Sequence, residues 1–423
     1  MTFTLAQKIV ASHSVIPLGE SEAAPGRIVN CRLDLVLAND ITAPLAIKSF
    51  MLMGAKKVFD KNKIALVMDH FTPQKDIASA EQVLISRNFA KEQEIVNYFE
   101  GGDAGVEHAL LPELGLVGPG DMVIGADSHT CTYGGIGAFA TGMGSTDIAA
   151  GMALGESWFK IPESIRVSIS GQLPAYMSGK DLILWVIGRL GVDGARYKAL
   201  EFDGPIIEAM SVEGRLTMAN MAIEAGAKAG LFAADQKTLE YCRAAKRKSD
   251  KEIHADPGAL YEEQINLDVS GLEPLVACPH LPENIRPVSE LKDLAVNQVI
   301  IGSCTNGRIS DLREAAKILS HRKVKKGLRC IVLPATPGVY RAALKEGIIE
   351  TLLEAECIVG PPSCGPCLGG HLGILGAGER ALATTNRNFR GRMGSLESEV
   401  YLANPAVAAA TAVAGVITHP AAL

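Results

Sequence analysis

Three cysteines stand where thiols can do chemistry: Cys304 in VIIGSCTNGR, then Cys364 and Cys367 in GPPSCGPCLGGH. Each follows an apolar, β-branched run, QVIIG or ECIVG, that breaks into Ser, Pro and Gly, which predicts thiols on loops leaving buried strands. A Cys-x-x-Cys pair with one distant third thiol supplies three soft ligands. A structural zinc site wants four, and an electron-carrying iron–sulfur cluster normally takes four cysteines. Three ligands leave one iron open, and an open iron is a Lewis acid able to polarise a hydroxyl or carboxylate. Taken alone, the Cys-x-x-Cys also reads as a redox pair, half a zinc site, or neither. Cys330 and Cys357 lie in apolar runs and read as small core residues, while Cys31, Cys131, Cys242 and Cys278 have no companion at metal spacing.

His70, His108 and His129 form a second constellation, each beside or near an acid that can orient it: Asp69 in VMDH, Glu107 in VEH and Asp127 in ADSHT. One His next to a carboxylate is more often structural than catalytic. Three in one stretch, two of them at strand ends, point to proton transfer, because an imidazole held by a carboxylate is placed to donate to a leaving hydroxyl. The third constellation is NRNFRGR, with Arg387, Arg390 and Arg392. By itself it also reads as a solvated turn; beyond the cysteine loops it reads as guanidinium forks for a small di- or tricarboxylate substrate.

Taken whole, GSCTNGR, PPSCGPCLGGH and TNRNFRGRMGS resemble the cluster-binding half of the aconitase superfamily of hydro-lyases, over nearly the whole chain. The resemblance implies one [4Fe-4S] cluster per subunit, held by Cys304, Cys364 and Cys367 with one iron not ligated by protein. It implies that Asp69, His70, His108, Asp127, His129 and Glu201 (in LEFDGP) are carboxylate–imidazole pairs, His108 with Asp127 and His129 with Glu201. Arg387, Arg392 and Ser128 match substrate-binding positions, Asn306 and Asn386 match positions whose amides lie against the cluster, and Arg390 has no assigned role. Fused members carry a further, swivelling domain that holds a catalytic serine and more arginines. This chain ends at THPAAL soon after an Ala-rich stretch, so the resemblance implies a separate small subunit that supplies that domain. The competing readings are a homoaconitase or other two-chain hydro-lyase of a substituted malate, an iron-responsive RNA-binding relative, and a structural zinc protein.

The elements that must position these residues follow from the apolar runs. KIALVMDH, DMVIGADSHT, NQVIIGSCTNG, RCIVLPATPG and ECIVGPPSCG each end abruptly in polar or Gly/Pro residues, with helical patterns between them. That alternation predicts α/β layers with buried parallel strands whose carboxyl ends carry the site. Ser310 to Leu319 reads as a helix capped by Ser310, with Arg313, Glu314 and Lys317 facing water; Pro337 opens another. Strand pattern restarting after Pro162 and a Pro-rich stretch over Asp256–Pro287 divide the chain into three α/β/α units: 1–162 with the His/Asp loops, 163–285, and 286–423 with the cluster cysteines and arginines.

With 423 residues, two or three domains are expected. A net charge of −6 and a pI near 5.9 argue against a nucleic-acid partner. The basic run from Arg243 to Lys248 reads as a solvated helix face. Nine cysteines, an odd number, fit a reducing cytoplasm, and MTFTLAQKIVASHS lacks the pattern of a signal peptide. VYLANPAVAAATAVAGVI, interrupted by Asn404 and Pro405, reads as a buried helix and not a membrane span.

Overall fold

Short runs of buried β-branched residues become parallel strands in the computed structural model, which describes residues 2–247 and 252–423. An antiparallel ribbon of β1 (Ile28–Arg32) and β7 (Glu156–Lys160) shares its core with the first sheet. That sheet holds β2 (Leu35–Asn39), β3 (Ile64–Val67), β4 (Asn97–Phe99), β5 (Met122–Gly125) and β6 (Phe139–Gly142), all parallel, in the order β4-β3-β2-β5-β6. The second sheet, β10-β9-β8-β11, is built from β8 (Ser164–Ser170), β9 (Ala199–Asp203), β10 (Ala229–Phe232) and β11 (Glu263–Asp268). The third runs β13-β12-β18-β17-β14-β15-β16, with β12 (Leu275–Ala277), β13 (Ile285–Pro287), β14 (Gln298–Ile301), β15 (Arg329–Val332), β16 (Ile358–Val359), β17 (Arg380–Ala383) and β18 (Glu399–Leu402). β12, which a division at 285 assigns to the second unit, hydrogen-bonds to β18 and β13, because this antiparallel hairpin closes an edge of the third sheet.

Two strand orders decide where ligands can sit. In the first sheet the chain builds outward from β2 through β3 and β4, then returns to build β5 and β6 on the other side. The third sheet does the same from β14: first β15 and β16, then β17 and β18. Loops part at each reversal and leave a crevice at the carboxyl ends of the strands. Asp40, His70 and Asp127–His129 follow β2, β3 and β5; Cys304 follows β14, the Cys364–Cys367 loop follows β16, and Asn386–Arg392 follows β17. The two crevices meet: the Cys364 N–H and the Ser363 hydroxyl both donate to the Asp69 carbonyl, at 3.0 and 3.1 Å. Gly302 makes the sharp exit from β14 possible. Its φ is +150°, and a Cβ there would lie 2.7 Å from the Leu333 carbonyl oxygen.

The helix near residue 310 spans Ile309–Leu319, but its cap differs from the sequence reading. Asp311, not Ser310, accepts from the Arg308 N–H; Ser310 is already inside the first turn and donates its own N–H to Glu213. Arg313 and Lys317 are exposed and Glu314 is half-buried. Helices do start at Pro337 and at Pro405; the latter is capped by Asn404 and is buried without a break from Pro405 through Ala412. Of the basic run, Arg243 lies on a helix ending at Ala244, Arg247 folds back onto Asp121 at 2.8 Å, and Lys248 lies outside the described residues. No helix among the described residues is long and apolar enough to cross a membrane.

The first helix, Leu5–His13, is pinned at both ends. Glu201 takes the N–H groups of Leu5 and Ala6, and His13 Nε2 lies 2.7 Å from Asp34. Burial alone would push the Asp34 carboxyl up, yet His13, the Met122 N–H and Lys63 hold it down at about 2, against 3.8. A lowered carboxyl stabilises the fold above its unfolded pKa and loses that contribution as pH falls through its folded one. Asp34→Asn is therefore expected to cost about 2 kcal/mol near pH 5 in denaturant unfolding, with the difference from the parent shrinking between about pH 4 and pH 2. An undiminished difference at about pH 2 would contradict the pairing.

Candidate active site

Asp69 and His70 leave β3 together, and the site is assembled around them. His70 Nδ1 lies 2.7 Å from Asp69 Oδ1 and 3.5 Å from Asp40 Oδ1. Asp40 also takes the N–H groups of His70 and Phe71, which fixes the loop as well as the ring. Burial pulls the His70 pKa down, but the two carboxylates outweigh it and raise it well above 6.5, so the imidazole is held charged.

His108 sits in the first turn of the helix Glu107–Glu113, where Glu107 donates its N–H to Asp69 Oδ2 at 2.8 Å. Its Nε2 is 3.0 Å from Asp127 Oδ1 and its Nδ1 is 3.2 Å from the Tyr133 hydroxyl. Burial lowers the His108 pKa despite Asp127, while Asp127, half-buried, is driven well below 3.8 by His108 and His129 against its desolvation. Glu107, the neighbour singled out in the sequence, faces mainly Asn39; burial first, then Asp69 and Asp127, raises its carboxyl and keeps it protonated. Arg308 ties this helix to the Cys304 loop, donating to the carbonyls of Thr305 and His108.

The pairing of His129 with Glu201 is overturned. His129 Nε2 lies 2.8 Å from Glu224 Oε1, and the same oxygen takes the Arg387 Nε–H at 2.8 Å. Asp127 and Glu224 together outweigh burial and lift the His129 pKa to about 9. Glu201 points from β9 into the start of the first helix, with Ser164 and Tyr261 as its other partners. Its carboxylate is spent on backbone N–H groups at a helix N-terminus. Glu224, in NMAIEAGA, carries no flanking His or Asp in the sequence and looks like a helix residue among apolar neighbours. Asn220, on the helix Val212–Met221, was missed for the same reason; Asp40 was missed although it directly follows the apolar run LVLAN, a strand-end signal that was there to be read.

Cys304, Cys364 and Cys367 line one small enclosed space with Asp69, His70, Glu107, His108, Asp127, His129, Asn386 and Arg392. In the structure the Cys364 and Cys367 sulfurs join as a disulfide; Cys304 is free. As thiolates, the three offer a soft donor set on loops around a common space, which suits an iron–sulfur cluster and is one ligand short for structural zinc. Asn386 Nδ2 already donates to Cys304 Sγ at 3.1 Å. Asn306 does not face this space. It gives its amide N–H to Asp311, its Oδ1 is buried without a partner among the described residues, and it borders a separate cavity of about 710 Å³.

Outside the cysteines an open cleft of about 500 Å³ is lined by His70, Ser128, His129, Arg387 and Arg392. Arg392 reaches both spaces, and its Nε is buried with no partner among the described residues. An unpaired buried guanidinium N–H is a ready donor to a carboxylate. Arg390 is exposed.

An open crevice between doubly wound sheets, lined by three cysteines and carboxylate-held histidines, defines a class. The model of the aconitase family (aconitate hydratase) matches residues 7–294 and 285–415, and the chain belongs to that family. It is similar to the 3-isopropylmalate dehydratase large subunit of Nitratidesulfovibrio vulgaris (Miyazaki F), 70% identical over the whole of both chains. It is also 69% identical to that of Desulfovibrio desulfuricans and 59% to that of Moorella thermoacetica, each over 99% of both chains. Among solved structures, Thermococcus kodakaraensis aconitase X shares the fold, with a TM-score of 0.50 and 13% identity over 94% of this chain and 97% of that one.

Glu224 and Glu201 can be told apart by substitution. Glu224→Gln, which uncouples His129 and Arg387, is expected to lower kcat/KM by about 100-fold. Glu201→Gln should lower the melting temperature and leave kcat/KM within about twofold. The reverse pattern would restore the His129–Glu201 pairing.

Proposed function

We propose that this chain is the large, cluster-bearing subunit of a 3-isopropylmalate dehydratase, interconverting 2-isopropylmalate and 3-isopropylmalate in leucine biosynthesis. As a member of the aconitase family it is a hydro-lyase that works with an iron–sulfur cluster. The observation that carries the finer reading is the gathering of three cysteines and three carboxylate-held imidazoles around one enclosed space, in a chain 70% identical end to end to a named large subunit.

Cys304, Cys364 and Cys367 would hold a [4Fe-4S] cluster, which supplies Lewis acidity toward a substrate hydroxyl and carboxylate. The remaining work falls to side chains. Arg392 gives a substrate carboxylate a two-point donor, and Ser128 lies on the same wall of the cleft. His70, positioned by Asp69 and Asp40, donates a proton to the departing hydroxyl; His108 and His129, both on Asp127, keep that carboxylate ionised and fixed. Water returns to the neighbouring carbon to give the isomer. No net oxidation is involved.

A substrate with two carboxylates calls for more than one free guanidinium fork, and in this cleft Arg387 already shares its charge with Glu224. The proposed source of the other contacts, and of the base that removes the carbon-bound proton, is a separate small subunit. Both would act in the cytoplasm.

The test is turnover of isopropylmalate, homocitrate and citrate by the anaerobically reconstituted chain with and without a small subunit. Preference for isopropylmalate by the pair and essentially no turnover by the chain alone are expected; full turnover by the chain alone would refute the division of labour. Arg392→Lys keeps the charge but loses the fork. It should lower kcat/KM by roughly thirtyfold, for about 2 kcal/mol of lost hydrogen bonding, with cluster absorbance unchanged. Unchanged kcat/KM would remove Arg392 from the substrate contacts.

A further inference from the structure

Among the described residues Lys180 is the one lysine buried to 0% exposure, and it lies outside the groups assigned above. It follows Ser178, which caps the helix Gly179–Leu190 and accepts the Lys180 N–H. The side chain runs away from solvent, and Nζ donates to the backbone carbonyls of Thr384, at 3.0 Å, and Thr385. Those two residues immediately precede Asn386 and Arg387. Asp181 locks the helix start from the other side: its carboxylate takes the N–H groups of Ser178 and Leu275 and the amide of Asn404. The donor therefore comes from a rigid mount.

What Lys180 holds is the loop that reaches both halves of the site. Thr384 Oγ1 accepts the Gly302 N–H and donates to the Gly302 carbonyl, joining this loop to the one that carries Cys304. Asn386 Nδ2 contacts Cys304 Sγ at 3.1 Å and Asn220 Oδ1 at 3.1 Å. Arg387 Nε reaches Glu224, which holds His129. Both carbonyls that Lys180 serves are in a buried stretch, Thr384 through Asn386, where an unpaired acceptor is costly and the chain would shift to find another donor. A neutral amine carries two N–H groups and an ammonium three, enough in either case for both carbonyls, so the contact does not depend on the charge of Lys180.

We propose that Lys180 is a positioning residue for the reaction: by fixing the Thr384 and Thr385 carbonyls it sets Asn386 against the cluster-binding thiolate and Arg387 against Glu224 and the substrate cleft. The proposal rests on the function proposed above, so its test needs one readout that turnover does not enter.

The test compares Lys180→Met, Lys180→Gln and Lys180→Arg with the parent, each as the full chain reconstituted anaerobically with iron and sulfide and assayed with a small subunit. In the isolated chain, the visible absorbance of the cluster on exposure to air is expected to decay about threefold faster in the Met variant, since a hydrogen bond to a ligating sulfur is lost. In the complex, KM for isopropylmalate should rise about tenfold with a smaller change in kcat, because the loop that orients a carboxylate contact is misplaced. Lys180→Arg, which keeps two donors, should recover most of both. A residue that only stabilises the fold would lower the melting temperature and leave KM and the decay rate alone. Parental KM and decay rate in a folded Met or Gln variant would overturn the proposal. So would failure of both neutral variants to fold while the Arg variant folds without restoring KM. If the parent itself does not turn over isopropylmalate, the proposed function fails, and the decay comparison still decides the role of Lys180.

Discussion

Asp69 is buried, and each of its oxygens has a separate task. Oδ1 orients His70, Oδ2 takes the N–H that starts the His108 helix, and the backbone carbonyl takes the Cys364 N–H and the Ser363 hydroxyl. A carboxylate in so dry a place is tolerable only when hydrogen-bonded, and its two oxygens are served from the first unit while the backbone carbonyl of the same residue is served from the loop after β16 of the third sheet. The stitch brings the crevice of the first sheet against that of the third. Neither sheet could form this site alone, since the first supplies the imidazoles with Asp40, Asp69 and Asp127, the third supplies thiols and guanidinium groups, and Glu224 joins them from the segment before β10.

The same burial sorts the protonation states. Low exposure penalises every charge, so each group keeps its charge only where a partner repays the desolvation. His70, between two carboxylates, is held charged, and Asp127, between two imidazoles, is held ionised. Glu107, facing other acids, is pushed to its neutral form. Acid and base roles are thus set by neighbours a few ångströms away and not by residue type.

The strands and the loops that follow them were legible because buried parallel strands write themselves as continuous apolar runs, and the polar residues at their ends stand out against such a background. KIALV, DMVIG and NQVII all became central strands of doubly wound sheets. Pairings across the chain were less legible. Asp69 with His70 is a local contact, readable from adjacency, whereas His129 meets Glu224 across 95 residues and nothing in NMAIEAGA marks that carboxylate. Glu201 was named by the resemblance alone, and its actual partners include two N–H groups at the start of a helix near the N-terminus. Asn306 misled in a smaller way: it lies two residues from Cys304, but a helical turn there aims its amide at Asp311 and away from the thiol. Lys180, in SGKDL and distant from every motif, gave no signal at all.

The central claim is that three protein thiolates leave one iron of the cluster free to meet substrate. Mössbauer spectroscopy of the ⁵⁷Fe-reconstituted chain, bound to its small subunit and recorded with and without isopropylmalate, tests it most directly. The account predicts one iron environment distinct from the other three, whose isomer shift and quadrupole splitting change when substrate is added. Iron sites that are all indifferent to substrate would contradict it.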